Sequence, residues 1–303
     1  MSASAGGEWR GVCSGGGVEL QSEVPAYDAQ LSSFHHAFAG ELEDIVRTLP
    51  LTPGMKVLDL ACGDGFYMRH ISRRLGRDGV VTGVDVNPTY LAAARRAAER
   101  EGANANAKIE LVAASFDRLP FADGTFDFVW CAQSLYSLPE PVVVLGHVAR
   151  VLRPGGVLAV LENDTMHQVF LPWPARLELP LRTAELRSLQ RENRHPSKFY
   201  VGRRLPAVLA AAGLEPLKMS THAFDRQAPL GRHEQRLLQS YLDEVTERVA
   251  PYLDASLLEE LYALRDPRSP QHMLLQPHLT MTWLNVLGLA RKPGRQRPSS
   301  SGM

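Results

Sequence analysis

The chain has 303 residues, 45% hydrophobic and 22% charged, the make-up of one large soluble globular domain or of a core domain carrying a substantial insertion. Lys+Arg and Asp+Glu number 33 each, so net charge gives no electrostatic reason to expect a nucleic-acid or anionic-membrane partner. Cys13, Cys62 and Cys131 are too scattered for a disulfide framework or a zinc cluster, and neither a membrane span nor a secretion signal is visible; a cytoplasmic protein is expected.

Residues 1–24, rich in Gly and Ser, read as a flexible tail. The stretch "YDAQLSSFHHAFAGELEDIVRTL" then has helical spacing through Leu31, Phe34, Phe38, Leu42 and Ile45. From residue 55 short apolar runs alternate with helical segments: "KVLDLA", "VVTGVDV", "IELVAAS", "FDFVWCAQS" and "GVLAVLEN" read as buried strands, with "MRHISRRL", "PTYLAAARRAAEREG" and "PVVVLGHVARVL" as the helices between them. Asn87, Pro88 and Gly102 punctuate the second of these helices, and Pro154 with the glycines after it stops the third before its strand. Such alternation predicts an α/β fold with a doubly wound, mostly parallel sheet, residues 25–163 forming its core and the helix that covers it. The rhythm changes after Glu162. Residues 164–200 read as a helical insertion, 201–228 as a core helix and strand, 229–278 as a second helical insertion and 279–293 as a last core strand, before a tail at 294–303. The insertions are expected to hang over one sheet edge as a lid.

Function is read first from "DLACGDG", where the opening strand breaks into a turn. In an open α/β sheet ligands sit beyond the carboxyl ends of strands, and Gly63 and Gly65 permit close backbone approach and positive φ there. Met68 occupies the place of the third glycine of a dinucleotide fingerprint, and no G-x-x-x-x-G-K-[ST] run is present. The next strand ends in "GVDVN", which puts Asp85 where a carboxylate can accept both hydroxyls of a ribose. An adenosine-like ligand without a phosphate anchor is the reading.

The blocks "VLDLACGDG", "GVDVNPTYLAAAR", "LPFADGTFDFVWCAQSLYSLPEP" and "HVARVLRPGGVLAVLE", in this order and spacing, resemble the class I S-adenosylmethionine (SAM)-dependent methyltransferases, most closely the quinone-biosynthesis and natural-product group. The resemblance covers about residues 55–162 and implies a Rossmann-like, seven-stranded sheet with SAM as cofactor. It assigns Asp59, Ala61, Cys62, Gly63 and Gly65 to the methionine part of SAM, Asp85 to its ribose, and Val86 and Asn87 to the flanks of its adenine. Ala61 departs from the usual Gly, a change that a negative φ would allow. A second departure is Ser115, with Phe116 beside it, where the family often has an acid for the adenine amine; Phe116 either stacks on the base or fills core. Cys131 and Gln133 are expected on the sulfonium side, and Tyr27 to reach the cofactor from the covering helix.

A methyl on a sulfonium is already activated, so the protein must mainly align the acceptor and exclude water, with a base needed only for a protonated acceptor such as a phenol. His167, following the fifth strand, is the leading candidate base, ahead of Glu162, Asp164, His35 and His36. Tyr136 either faces the acceptor or packs in the core. No base-amine motif and no metal-ligand spacing is found, so neither a nucleic-acid substrate nor a metal is expected. Trp173, Phe199, Tyr200, Tyr241, Tyr252 and Met273 in the insertions suit either an apolar pocket for an aromatic or polyketide-like acceptor or a core of their own. The expectation is O- or C-methylation of a small molecule in secondary-metabolite or quinone synthesis. The alternatives are a non-methylating SAM-binding cyclase or decarboxylase, a protein or nucleic-acid methyltransferase, and a SAM-binding regulator.

Overall fold

The computed structural model describes residues 27–101, 107–138, 140–164, 167–192 and 200–294. Its elements in chain order are α1 (Tyr27–Ala37), α2 (Ala39–Thr48), β1 (Lys56–Leu60), α3 (Phe66–Leu75), β2 (Val80–Asp85), α4 (Pro88–Glu101), β3 (Lys108–Ala113), β4 (Phe126–Ala132), α5 (Pro141–Val151) and β5 (Leu152–Glu162). They continue with β6 (Val169–Phe170), α6 (Ala175–Glu192), α7 (Val201–Ala211), β7 (Glu215–Gln227), α8 (Arg232–Val249), α9 (Ala255–Arg265) and β8 (Thr280–Arg291).

The strands form one sheet in the order β3-β2-β1-β4-β5-β8, with β7 on the far edge of β8 and the two-residue β6 pairing β8 beyond the end of β5. Strands β1 to β5 pair in parallel, and β8 runs antiparallel to β5 and β7. This is the expected doubly wound architecture, with seven full strands among the described residues and β6 as an added short one. The strand order reverses between β1 and β4, the place at which such sheets bind ligands.

Strands β1, β2 and β4 are buried on both faces, which is why their sequences read as continuous apolar runs. Alternate residues feed two clusters. Val57, Phe128, Trp130, Ala159, Leu161, Trp283 and Leu287 face α1, α2, α3, α6 and α8, while Leu58, Val129, Cys131, Leu158 and Val160 face α5 and α7. Asn87 starts α4 by accepting the Thr89 N–H at 2.9 Å, with Pro88 at the first helical position. Gly213, at φ 78, ends α7.

Three local expectations change. The N-terminal helix is two helices, because Phe38 leaves helical geometry at φ −122 and ψ 26 to pack against Phe224 and Trp283. Strand β5 begins at Leu152, ahead of Pro154, and its pairing with β4 shifts register between Phe126 and Phe128, with Gly155 taking φ 78. Gly102 lies outside the described residues. Among the described residues, no helix is long and apolar enough to cross a membrane.

Candidate functional site

The turn after β1 holds alternate residues in the left-handed region: Ala61 at φ 59, Gly63 at φ 52 and Gly65 at φ 82. Glycine is needed at 65, where a Cβ would lie 3.1 Å from that of Ala94. Ala61 corrects the expectation of a negative φ. It is held in its conformation by its neighbours: the Cys62 N–H donates to the Val84 carbonyl at 3.0 Å, and the Gly63 N–H to Asp85 Oδ2 at 3.0 Å. A non-glycine residue there carries strain of about 1 kcal/mol. The helix that follows is set by Asp64, which accepts the Phe66 N–H at 3.1 Å.

Met68 stands where a dinucleotide-binding helix would have its glycine, yet α3 still packs closely on the sheet. The room comes from β2, since a Cβ on Gly83 would lie 2.5 Å from the Met68 sulfur and 2.9 Å from that of Cys62. That places Cys62 under the turn as a buried filler, its thiol pushed up by burial and by the nearby carboxylates of Asp59 and Asp85.

Asp85 is only 7% exposed and ties the two strand ends together, Oδ2 accepting from Gly63 and Oδ1 from the Asn87 N–H at 2.9 Å. The carboxylate of Asp85, with about four acceptor positions, keeps room for a further donor. Burial pushes its carboxyl up, and burial with the charges of Asp85 and Asp64 pushes that of Asp59 well above the usual range. Asp59 Oδ2 is buried with no partner. A ligand bringing hydroxyl donors and positive charge would relieve both conditions. SAM, with its ribose diol, ammonium and sulfonium, fits this donor and acceptor set. Val86 and Asn87 are half-buried beside it.

At the third strand Ser115 is exposed and donates its hydroxyl to Asp117, which holds that carboxyl below its usual range. Phe116 packs against the α5 and α7 face of the core. At the end of β4 Cys131 is fully buried on the same face, and burial raises its thiol. Gln133 follows at φ 52, and the next turn is anchored by the fully buried Glu162, whose Oε1 accepts the Ser134 N–H at 2.6 Å and the Leu135 N–H at 2.5 Å. Burial raises the Glu162 carboxyl to about 7, against the lowering pull of these N–H groups. Glu162 thus orients the β4 turn. Tyr136, in the short helical turn Leu135–Ser137, is 41% exposed.

Sequence reasoning missed the partner of Gln133. His35 of α1 reaches across to it, with Nε2 3.2 Å from Gln133 Oε1, and stacks on Phe66 at 4.3 Å and 11°. Burial pushes this imidazole down to about 4, so it is neutral near pH 7 and donates to the amide oxygen. Its neighbour His36 faces solvent and bonds the Ser32 carbonyl. The one available signal was the position of His35 directly after Phe34, at the edge of the apolar stripe. Also unforeseen are Tyr67 and Trp130, whose rings lie 5.1 Å apart and whose hydroxyl and indole N–H are buried without partners. Trp130 is the register partner of Asp59 on β1.

His167 lies on the surface, and its Nδ1 sits 3.0 Å from the Arg203 guanidinium, which is also paired with Asp164. Burial and the Arg203 charge lower its pKa. Nδ1 therefore accepts from Arg203, and His167 is a neutral hydrogen-bonding partner there, not a free base. Asp164 is likewise engaged. Of the insertion residues, Trp173, Tyr241 and Met273 are buried in the main core, Tyr241 against Trp283 at 5.8 Å, and Tyr252 packs on the same cluster. Tyr200 lies under Arg203 at 4.8 Å. Phe199 and the side chain of Tyr27 lie outside the described residues, although Tyr27 opens α1.

Residues 58–160 match a family model described as a methyltransferase domain. The sterol 24-C-methyltransferase of Gibberella zeae is 35% identical over 144 residues, 45% of this chain and 37% of that enzyme. The ubiquinone/menaquinone biosynthesis C-methyltransferase UbiE of Shewanella halifaxensis is 37% identical over 123 residues, 39% of this chain and 48% of that one. The match thus spans less than half the length of these curated relatives. Among solved structures, the Bacillus halodurans C-125 protein BH2331 has a TM-score of 0.54 at 17% identity, covering 84% of this chain and 100% of that one. The YcgJ protein of Bacillus subtilis has a TM-score of 0.51 at 17% identity, covering 86% and 99% of the two chains. These structural likenesses speak to the fold and extend it beyond the matched domain. Residues 58–160 of the chain are thus similar to a methyltransferase domain, and the chain shares its fold with these two solved structures.

Proposed function

We propose that the protein methylates a small-molecule acceptor with SAM as donor. The observation that carries this reading is the cradle at the ends of β1 and β2, where three left-handed residues and the Gly63–Asp85 hydrogen bond present a buried carboxylate pair, in a segment of methyltransferase sequence. When bound, SAM supplies a methyl group already activated on a positive sulfonium.

The chain's own contribution is placement. Asp85 would hold the ribose hydroxyls, Asp59 and the 61–65 turn the amino-acid end, and Val86 and Asn87 the adenine flank, with Ser115 and Phe116 beside it. Gln133, fixed by His35 and by the turn that Glu162 anchors, would set the wall next to the reacting carbon. Burying an acidic, preorganised set of groups beside a cation orients it without reorganisation during reaction. We assign no general base to His167. The aromatic side chains of Phe34, Tyr241 and Trp283, packed together over β8, favour an apolar acceptor, in keeping with relatives named for sterol and quinone C-methylation. Helices α6, α8 and α9 would cover the acceptor side.

Incubation with methyl-labelled SAM and a panel of quinols, phenols and apolar alcohols tests the proposal. Label in an organic-soluble product is the expected result. Binding of S-adenosylhomocysteine with no label transferred to any acceptor class would count against methyl transfer.

A further inference from the structure

Strand β8 carries Met281, Trp283, Leu287 and Leu289 on the face turned toward α1 and α8, and all four sit in the apolar cluster. The fifth residue of that series is Asn285. It is 0% exposed, and neither its amide oxygen nor its amide nitrogen has a hydrogen-bond partner. A primary amide buried among apolar groups with donor and acceptor both unused is costly, and sequences retain one where something other than the folded chain completes it.

Its place in the sheet says what that is. Val286 pairs with Glu162, the last residue of β5, so Asn285 stands one residue beyond the carboxyl end of that strand. Two strand spacings, about 10 Å, separate β8 from β4, so the side chain lies on the acceptor side of the proposed sulfonium position. Phe34 of α1 and Tyr241 of α8 close over the adjacent Trp283 at 5.7 and 5.8 Å. The polar neighbour directly across the ladder, His222, turns its Nε2 to the Ser220 hydroxyl at 3.0 Å and leaves Asn285 alone.

We propose that Asn285 is the recognition residue for a hydroxyl group on a neutral, otherwise apolar acceptor. The amide nitrogen donates to the hydroxyl oxygen and the amide oxygen accepts its proton, so one group satisfies both unused functions. The surrounding cluster sets the rest of the specificity, because a hydrocarbon framework matches Trp283 and Leu287 and a charged one does not. This inference rests on the methyltransferase reading for the identity of the ligand as acceptor.

The test titrates 1-naphthol and naphthalene, which differ by one hydroxyl, into the full chain with S-adenosylhomocysteine present, for wild type, Asn285→Leu and Asn285→Ser. Wild type binds 1-naphthol about tenfold more tightly, the effect of one net hydrogen bond. Asn285→Leu binds the two equally, keeps its affinity for S-adenosylhomocysteine, and melts at a higher temperature than wild type without ligand, since the unpaired amide is gone. Asn285→Ser keeps part of the preference, and carries the comparison if the leucine variant fails to fold. The proposal is overturned if wild type binds neither compound or does not distinguish them, if Asn285→Leu retains the preference, or if that variant melts lower, which would make the amide a structural bond. Wild type that fails to bind S-adenosylhomocysteine removes the methyltransferase reading; wild type that binds it with no naphthol preference removes only the role of Asn285.

Discussion

The β2–β1 half of the sheet and the β5–β8 half end in different materials. On the first side the site is made of backbone: positive-φ turns, N–H groups held by Asp85, and a glycine at 83 that admits Met68. On the second, side chains from distant segments, Phe34, Tyr241 and Trp283, close over β8 and would form the proposed acceptor wall. Backbone geometry suits a ligand that never changes, whereas a side-chain wall changes its specificity by single substitutions. The two halves meet at the β4 turn, where Gln133 is gripped from α1 by His35 and the following residues from β5 by Glu162.

The largest effect is expected at that seam. Glu162, at about 7 against an ordinary 4.5, binds its proton more tightly folded than unfolded. Its contribution is therefore fully present below about pH 4.5 and is lost as pH rises through 7. Glu162→Gln should remove that dependence, so that between about pH 4.5 and pH 8 the stability difference in denaturant melts moves in the variant's favour by on the order of 3 kcal/mol. His35, lowered to about 4, slopes the opposite way between 6.5 and 4, so the Glu162 effect is read as the difference between the two proteins. A parallel pH dependence in both would show that the Glu162 carboxyl is not raised by its burial.

Next in size, Asp85→Ala should weaken S-adenosylhomocysteine binding by roughly 1.5–3 kcal/mol while leaving 1-naphthol selectivity in place. Loss of both together would merge the halves into one unit. A gain of about 1 kcal/mol in stability is expected for Ala61→Gly, since only the left-handed strain is relieved; urea melts showing a loss would mean that the methyl group packs usefully. The smallest effect is that of His167→Ala, for which we expect an unchanged rate from pH 6 to 9 because its Nδ1 is already engaged by Arg203. A lower rate that loses its acidic limb in that profile would restore it as the base.

The backbone half was the legible half. Gly63, Gly65, Asp85 and the Asn87–Pro88 start of α4 act within a few residues of themselves, and local sequence states them directly. Ala61 shows where that stops: the sign of its φ is fixed by Val84 and Asp85 on another strand. His35 meets Gln133 across 98 positions, and no periodicity announces such a pair. Asn285 was hidden for the same reason, as one polar residue in an apolar strand whose burial comes from α1 and α8. The insertions looked separable because their composition differs, yet Trp173, Tyr241 and Met273 belong to the same cluster as Phe128 and Trp130.

The most direct test of the central claim is a calorimetric titration of S-adenosylhomocysteine into wild type, Asp85→Ala and Asn285→Leu side by side. A cradle confined to the β1 and β2 ends predicts binding by wild type, equal binding by Asn285→Leu, and a roughly 10- to 150-fold loss in a folded Asp85→Ala. No binding by wild type, or an Asp85→Ala variant that binds as wild type does, would contradict it.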